Sequence, residues 1–209
     1  MSKIILDFGS GNSCRNDKAI IKRMYDELKV VDTGKYEVII KWQLFEDWYG
    51  NTPLTHEAFD YAYQYGTSLG YKVTASVFDK PSLDFLLQYD VPFIKIANRR
   101  ELDWMIGEIP RKTLVYVSYG NEKDLNKAPR DIRPLICASK YPATIEQYEA
   151  IFTTGQAFRL VAISDHTTNF GLWYRYQPQI IEWHYKLKDS VGLDAGEFAR
   201  TPEQLAEIL

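Results

Sequence analysis

Cysteine is scarce: the 209-residue chain has two, Cys14 and Cys137, far apart and outside any metal or redox spacing. That excludes a disulfide framework and reads as two free thiols of a reducing compartment. Long hydrophobic runs are missing as well. No segment approaches the roughly 20 apolar residues of a membrane span. The apolar stretch in Met1-Ser2-Lys3-Ile4-Ile5-Leu6-Asp7 is too short for a secretory signal. The net charge is −3 and no long basic run is present, which argues against a general nucleic-acid binder. No linker or internal repeat divides the chain. The expectation is one soluble, cytoplasmic domain over residues 1–209, and a hydrophobic content of 45% supports a substantial core. Fifteen tyrosines and five tryptophans suit a carbohydrate or small-molecule site, although core packing accounts for such richness as readily.

What is present is alternation. Strand-like apolar runs fall at residues 3–9, 36–45, 71–78, 91–98, 112–120, 133–139, 160–167 and 180–185. Between them, helical spacing covers residues 17–31 and 56–69, the latter stopped by Gly70. A further helix starts at Pro81, with Leu83, Phe85 and Leu86 as its apolar positions. Patterns at 101–109, 121–130 and 171–177 are weaker. Thr144-Ile145-Glu146-Gln147 has the form of a capping box and opens a helix to about residue 158. Thr201-Pro202-Glu203-Gln204 combines an N-cap with proline at the first helical position, and its helix runs to Leu209. Eight such units predict a parallel sheet with helices outside, closed into a compact (β/α)8 TIM barrel at the small end of its size range. An open doubly wound sheet is the alternative. It fits less well, because Gly9-Ser10-Gly11 lacks the third glycine of the dinucleotide fingerprint and reads as a tight turn.

In a barrel the C-terminal strand ends build the active site. Here those ends carry Asp7, Lys41 with Gln43, Ser76 with Asp79, Lys95 with Asn98, Ser118, Ser139 with Tyr141, Ser164 with His166, and Glu182 with His184. Period-2 alternation puts Leu160, Ala162, Ser164 and His166 on one face of the seventh run, and Ile180, Glu182 and His184 on one face of the eighth. Two imidazoles delivered from consecutive strand ends could share a metal ion; two separately hydrogen-bonded histidines are the alternative. Lys41 and Lys95 sit in otherwise apolar runs, and lysine is almost never fully buried without a partner. Each either snorkels or pairs with an inner carboxylate such as Asp7 or Glu182. Together with the rim hydroxyls they otherwise mark an anionic ligand such as a phosphate. From the residues alone, this describes a barrel enzyme for a small phosphorylated or carboxylated substrate, with a divalent metal to polarise a carbonyl.

The stretches Lys41-Trp42-Gln43, Thr74-Ala75-Ser76-Val77-Phe78-Asp79 and Pro92-Phe93-Ile94-Lys95-Ile96-Ala97 are followed by Cys137-Ala138-Ser139-Lys140-Tyr141-Pro142. Ile163-Ser164-Asp165-His166-Thr167, Ile181-Glu182-Trp183-His184-Tyr185 and Gly192-Leu193-Asp194 complete the set. In this order they resemble the sialic acid synthase family, the N-acetylneuraminate synthases, over nearly the whole chain. The resemblance implies a (β/α)8 barrel that condenses phosphoenolpyruvate with N-acetylmannosamine or a related aldose. The product would be a sialic-acid-like 2-keto-3-deoxy acid, with phosphate released. It implies a divalent metal held by His166 and His184, manganese first, with magnesium or cobalt as alternatives. Lys41, Lys95, Asn98, Ser118, Ser139 and Ser164 would hold phosphoenolpyruvate. Gln43, Tyr141 and Asp194 would lie near the sugar, and Asp7 takes the place of a family glutamate.

Departures accompany the match. Asn98 and Arg100 stand where the family usually has a serine and a sugar-contacting glutamate, and Ala195 and Ala199 stand where it has a histidine and a serine. Family enzymes usually carry a C-terminal antifreeze-like domain; the chain here runs to Leu209, so the expectation is the catalytic barrel alone. A homodimer, or a partner chain, would then complete the sugar site. Two other readings stay open. One is a diverged barrel serving as a binding or assembly module, motivated by Arg100. The other is an aldolase working through a Schiff base at Lys95.

Overall fold

The computed structural model describes residues 2–47, 50–151 and 162–209. Eight parallel strands close into a barrel in chain order: β1 (Lys3–Gly9), β2 (Glu37–Leu44), β3 (Lys72–Val77), β4 (Ile94–Ile96), β5 (Val115–Tyr119), β6 (Arg133–Cys137), β7 (Ala162–Asp165) and β8 (Ile180–His184). β8 returns to β1, pairing Lys3 with Ile180 and Asp7 with His184. The fold is the expected compact (β/α)8 barrel. Among the described residues no helix is long and apolar enough to cross a membrane.

Alternation sorts each strand between two cores. Ile5, Ile39, Phe93, Tyr116, Leu135 and Ala162 point inward and fill the barrel's lower interior. Their neighbours Ile4, Ile40, Ile94, Val117, Ile136 and Ile163 point outward, beneath the helices. Helix α1 is Gly11–Cys14; α2 (Lys18–Val31) turns Ile21, Met24, Tyr25 and Leu28 inward at helical spacing, and Asp17 caps it by accepting from the Ala19 N–H. Thr55 caps α3 (His56–Ser68) in the same way. Helix α4 is Lys80–Leu86, α5 Glu122–Leu125, α6 Ile145–Ile151 and α7 Gly171–Tyr176. The last helix, α8 (Pro202–Leu205), opens with a complete capping box between Thr201 and Gln204.

Several elements differ from expectation for local reasons. β4 is three residues long, because Pro92 brings no N–H to the ladder and the chain turns after Ile96, with Arg99 N–H donating to Ala97 O at 2.7 Å. Residues Arg100–Gly107 form a 3-10 helix rather than an α-helix. The glycine-rich turn after β1 winds into α1, its first turn held by the Ser10 hydroxyl accepting from Asn12 N–H. Asp79 is not at the cavity: it caps α4 by accepting from Ser82 N–H at 2.8 Å and also takes the Glu46 N–H at 2.7 Å. At Thr144 half of the capping box is present, with the Gln147 side chain accepting from the Thr144 N–H. The expected continuation of that helix to about residue 158, and Leu160 and Val161 of the seventh run, lie outside the described residues.

Candidate active site

The C-terminal strand ends surround a cavity of about 800 Å³. Every residue to which the resemblance assigns a role lines it: Asp7, Lys41, Gln43, Lys95, Asn98, Ser118, Ser139, Tyr141, Ser164, His166, His184 and Asp194. The same alternation that turns Ile5, Ile39 and Ala162 into the lower core turns Asp7, Lys41 and Ser164, two residues later, into its floor.

At its base lies a buried charge cluster. Lys41 Nζ is 2.6 Å from Asp7 Oδ2, donates to Ser76 Oγ at 3.0 Å, and is 3.9 Å from Glu182 Oε2. Lys95 Nζ reaches both oxygens of Glu182 at 3.0 Å. All four groups are at most 3% exposed. Burial by itself raises the Asp7 and Glu182 carboxyls, but the lysine charges outweigh it and both end below their ordinary values. For Lys41, burial lowers and the Asp7 and Glu182 charges raise, with a net upward shift. Lys41 is therefore held charged by inner carboxylates, and Lys95 is paired with Glu182. Glu182 is the residue the sequence reading undervalued: it joins both lysines and Ser164, and its signal was its place on the His184 face of β8.

The histidines stand above this cluster with ring centroids 5.4 Å apart. His166 Nδ1 lies 2.7 Å from the Ala138 carbonyl oxygen, which can only accept, so Nδ1 carries the proton and Nε2 a lone pair. Ser164 Oγ is 3.2 Å from that Nε2, but its one proton goes to Glu182 Oε1 at 2.8 Å. Burial holds the His166 imidazole down at about 3, so it stays neutral. His184 Nδ1 is buried without a hydrogen-bond partner among the described residues, 3.6 Å from Asp7 Oδ2. Each ring thus keeps one nitrogen available to a Lewis acid. Among the described residues no group of three or more His, Cys, Asp or Glu is set to hold a metal, so the pair could supply two ligands, with water or substrate providing the rest.

The upper wall is mixed. Tyr141 stacks on His166 at 4.1 Å and meets Phe198 at 5.0 Å. Asn98 donates to Ser139 Oγ at 2.6 Å, bridging the ends of β4 and β6. This bridge passes over Gly120, where a Cβ would lie 2.4 Å from Asn98 Nδ2. Arg100 donates to the Ser118 carbonyl at 2.7 Å, contacts Asp103 at 3.2 Å and lies over the Tyr119 ring. Gln43 donates to Asp7 Oδ2 at 2.9 Å. Asp194 accepts from Ser10 and Ser13, tying the last loop to the turn after β1. Cys137 and Cys14 are both buried free thiols, Cys137 at the cavity wall.

A closed (β/α)8 barrel with lysines, carboxylates and two imidazoles converging at its C-terminal mouth has the architecture of a barrel enzyme. The NeuB family model matches residues 29–209, and the chain belongs to that family. In fold it is similar to the N-acetylneuraminic acid (sialic acid) synthetase of Leptospira borgpetersenii serovar Hardjo-bovis, solved in complex with citrate. The TM-score is 0.79 at 22% identity, covering 98% of this chain and 80% of that one. The spore coat polysaccharide biosynthesis protein SpsE of Bacillus subtilis gives a TM-score of 0.78 at 19% identity, covering 99% of this chain and 65% of that one. A truncated 3-deoxy-D-arabino-heptulosonate 7-phosphate synthase of Thermotoga maritima gives 0.64 at 12% identity, covering 99% and 83%. No curated protein matches the chain.

Proposed function

We propose that this barrel is a phosphoenolpyruvate-dependent synthase that joins phosphoenolpyruvate to N-acetylmannosamine or a related aldose, releasing phosphate and a sialic-acid-like 2-keto-3-deoxy acid. The observation that carries this reading is the pair of buried lysines facing two imidazoles, each with a free nitrogen, across one cavity. Lys41, Lys95, Asn98, Ser118, Ser139 and Ser164 offer donors for a phosphate and a carboxylate. Preorganised donors of this kind stabilise charge more effectively than water does. His166 and His184 would hold a divalent cation, manganese first, with magnesium or cobalt as alternatives. Such an ion would supply a Lewis acid for the acceptor's aldehyde.

The resting charges explain why anion and cation would enter together. Two lysines and two carboxylates already balance at the floor, so an anion arriving alone meets Asp7 and Glu182. Phosphoenolpyruvate would compete with those carboxylates for the ammonium groups. The carbon–carbon bond forms from its C3 to the aldehyde carbon; water then adds at C2, and the tetrahedral centre expels phosphate. Gln43, Tyr141 and Asp194 border the space left for the acceptor, and Asp7 is the carboxylate nearest His184.

A second reading, a barrel that binds without turnover or serves in assembly with a partner chain, is favoured by Arg100, whose guanidinium is anchored at the rim where the resemblance places a glutamate. Phosphate release from phosphoenolpyruvate with manganese, measured against aldoses with and without N-acetyl groups, separates the two. Release with one sugar supports the synthase and names the acceptor. Silence across the panel while phosphoenolpyruvate still binds by calorimetry selects the second reading, and absence of binding refutes the synthase and leaves only the fold.

A further inference from the structure

Asp165 immediately precedes His166 and reaches Trp183, the residue before His184, yet it does not line the cavity and the chemistry above does not use it. It is fully buried at the end of β7. Its Oδ1 accepts from the N–H of Thr167, the residue after His166, at 2.8 Å. Its Oδ2 accepts from Trp183 Nε1, on the residue before His184, also at 2.8 Å. That same oxygen is 3.7 Å from Arg200 Nη2. Arg200, 1% exposed, closes the arrangement from the other side. Its backbone N–H donates to the His184 carbonyl at 2.7 Å, while Nη1 and Nη2 donate to the carbonyls of Phe198 at 2.8 Å and Asn169 at 2.7 Å. One carboxylate therefore holds a sequence neighbour of each histidine, and one guanidinium fastens the loops that follow β7 and β8.

The β7–β8 ladder does not reach both histidines. Its register ends with Asp165 opposite Trp183, so His166 and His184 each lie one residue beyond the last pair. His184 stays in register with Asp7 of β1, and the His166 N–H donates to the Tyr148 hydroxyl at 2.9 Å, but neither contact joins one histidine segment to the other. A pair of ligands needs its geometry held to within about half an ångström.

We infer that Asp165 and Arg200 are positioning residues that set the spacing of the His166 and His184 imidazoles beyond the end of the β7–β8 ladder. The consequence for metal binding rests on the synthase reading; the tie itself does not. Asparagine is the informative substitution at Asp165. It retains a single acceptor oxygen for two donors and turns an NH2 towards the other, besides removing Arg200's counter-charge.

The chain has three histidines, and the third, His56, stacks on Phe85 from α3, away from the cavity. In the full isotope-labelled chain, Asp165→Asn is expected to move the ring signals of His166 and His184 and leave those of His56 in place. Manganese affinity, read by the free-ion electron paramagnetic resonance signal, falls by about tenfold. Phosphoenolpyruvate binding to the metal-free protein is unchanged. Unmoved signals for both cavity histidines overturn the inference. If wild type itself binds no manganese, the metal reading fails and the ring signals alone decide the tie. Should Asp165→Asn fail to fold, Arg200→Lys keeps the charge, loses the two-pronged carbonyl contact, and gives the same readouts.

Discussion

Glu182→Gln tests the charge cluster most directly. The wild-type carboxylate takes Lys95 on both oxygens at 3.0 Å and the Ser164 hydroxyl at 2.8 Å, and stands 3.9 Å from Lys41. Glutamine keeps the volume but offers one carbonyl oxygen and turns an NH2 towards an ammonium. Removing one partner of a buried pair costs about 3–5 kcal/mol, and the open cavity mouth puts this site at the lower end, about 3 kcal/mol. For a chain of this size that lowers Tm by about 6–12 °C. A double-mutant cycle with Lys95→Met should return a coupling of about 2 kcal/mol, because the second change removes the stranded charge. The pH dependence has a definite sign. Burial raises the Glu182 carboxyl but the two lysines lower it more, to well below 4.5. A carboxylate depressed in the folded state adds stability that is complete above its unfolded value and lost as pH falls towards the folded one. The gap between wild type and variant is therefore flat from about pH 7 to about pH 5.5 and closes as pH falls below about 4.5. Thermal unfolding by circular dichroism at a series of pH values provides the measurement. A Tm within about 2 °C of wild type, with an additive cycle, would refute the claim that Glu182 is what compensates Lys95. The same variant frees Lys95 for an anion, so calorimetry on the metal-free protein should show phosphoenolpyruvate binding more tightly.

Other outcomes follow from the same geometry. His166→Ala removes a nitrogen proposed for the metal and should abolish manganese-dependent phosphate release; unchanged turnover would eliminate that role. In Gly120→Ala the new Cβ would lie 2.4 Å from Asn98 Nδ2 and 3.1 Å from Ser139 Oγ. The bridge must open, at a cost of about 1–3 kcal/mol, and phosphoenolpyruvate affinity should drop; a wild-type melting curve and affinity would show that the bridge is dispensable. Burial pushes both Cys14 and Cys137 up to about 11. At pH 8 a thiol reagent should therefore label neither in the native protein and both in denaturant, and fast native labelling of Cys137 would mean its wall is open. Tyr141, 55% exposed yet stacked on His166, should on change to alanine raise KM for the acceptor and leave phosphoenolpyruvate binding intact.

Much of this protein could be read from local pattern. Eight apolar runs separated by capped helices implied the barrel, because strand alternation and capping are properties of neighbouring residues. Alternation also assigned faces correctly: in the seventh run Ala162 goes inward at the base, and Ser164 and His166 go inward at the mouth. Most polar residues that line the cavity were legible for the same reason, being polar groups at strand ends where burial demands an explanation; Asp194 came only from the family resemblance. Local signals misjudged the short pieces. Residues 100–107 wind as a 3-10 helix, and Asp79, polar and at a strand end, is spent on capping α4.

What only tertiary structure decided is which of those polar groups meet. Lys95 and Glu182 are 87 positions apart, and their contact depends on barrel closure and on the stagger of each strand against the next, neither of which any short window encodes. The same holds for Asp165 and Arg200, whose tie forms only once the last loop packs back beneath β8. The sequence by itself determined the barrel and the ring of polar side chains at its mouth. Closure determined that the lysines are neutralised from within, that Glu182 sits at the centre, and that each imidazole keeps one nitrogen free. Alternation is written along a strand, whereas these pairings are made across the barrel.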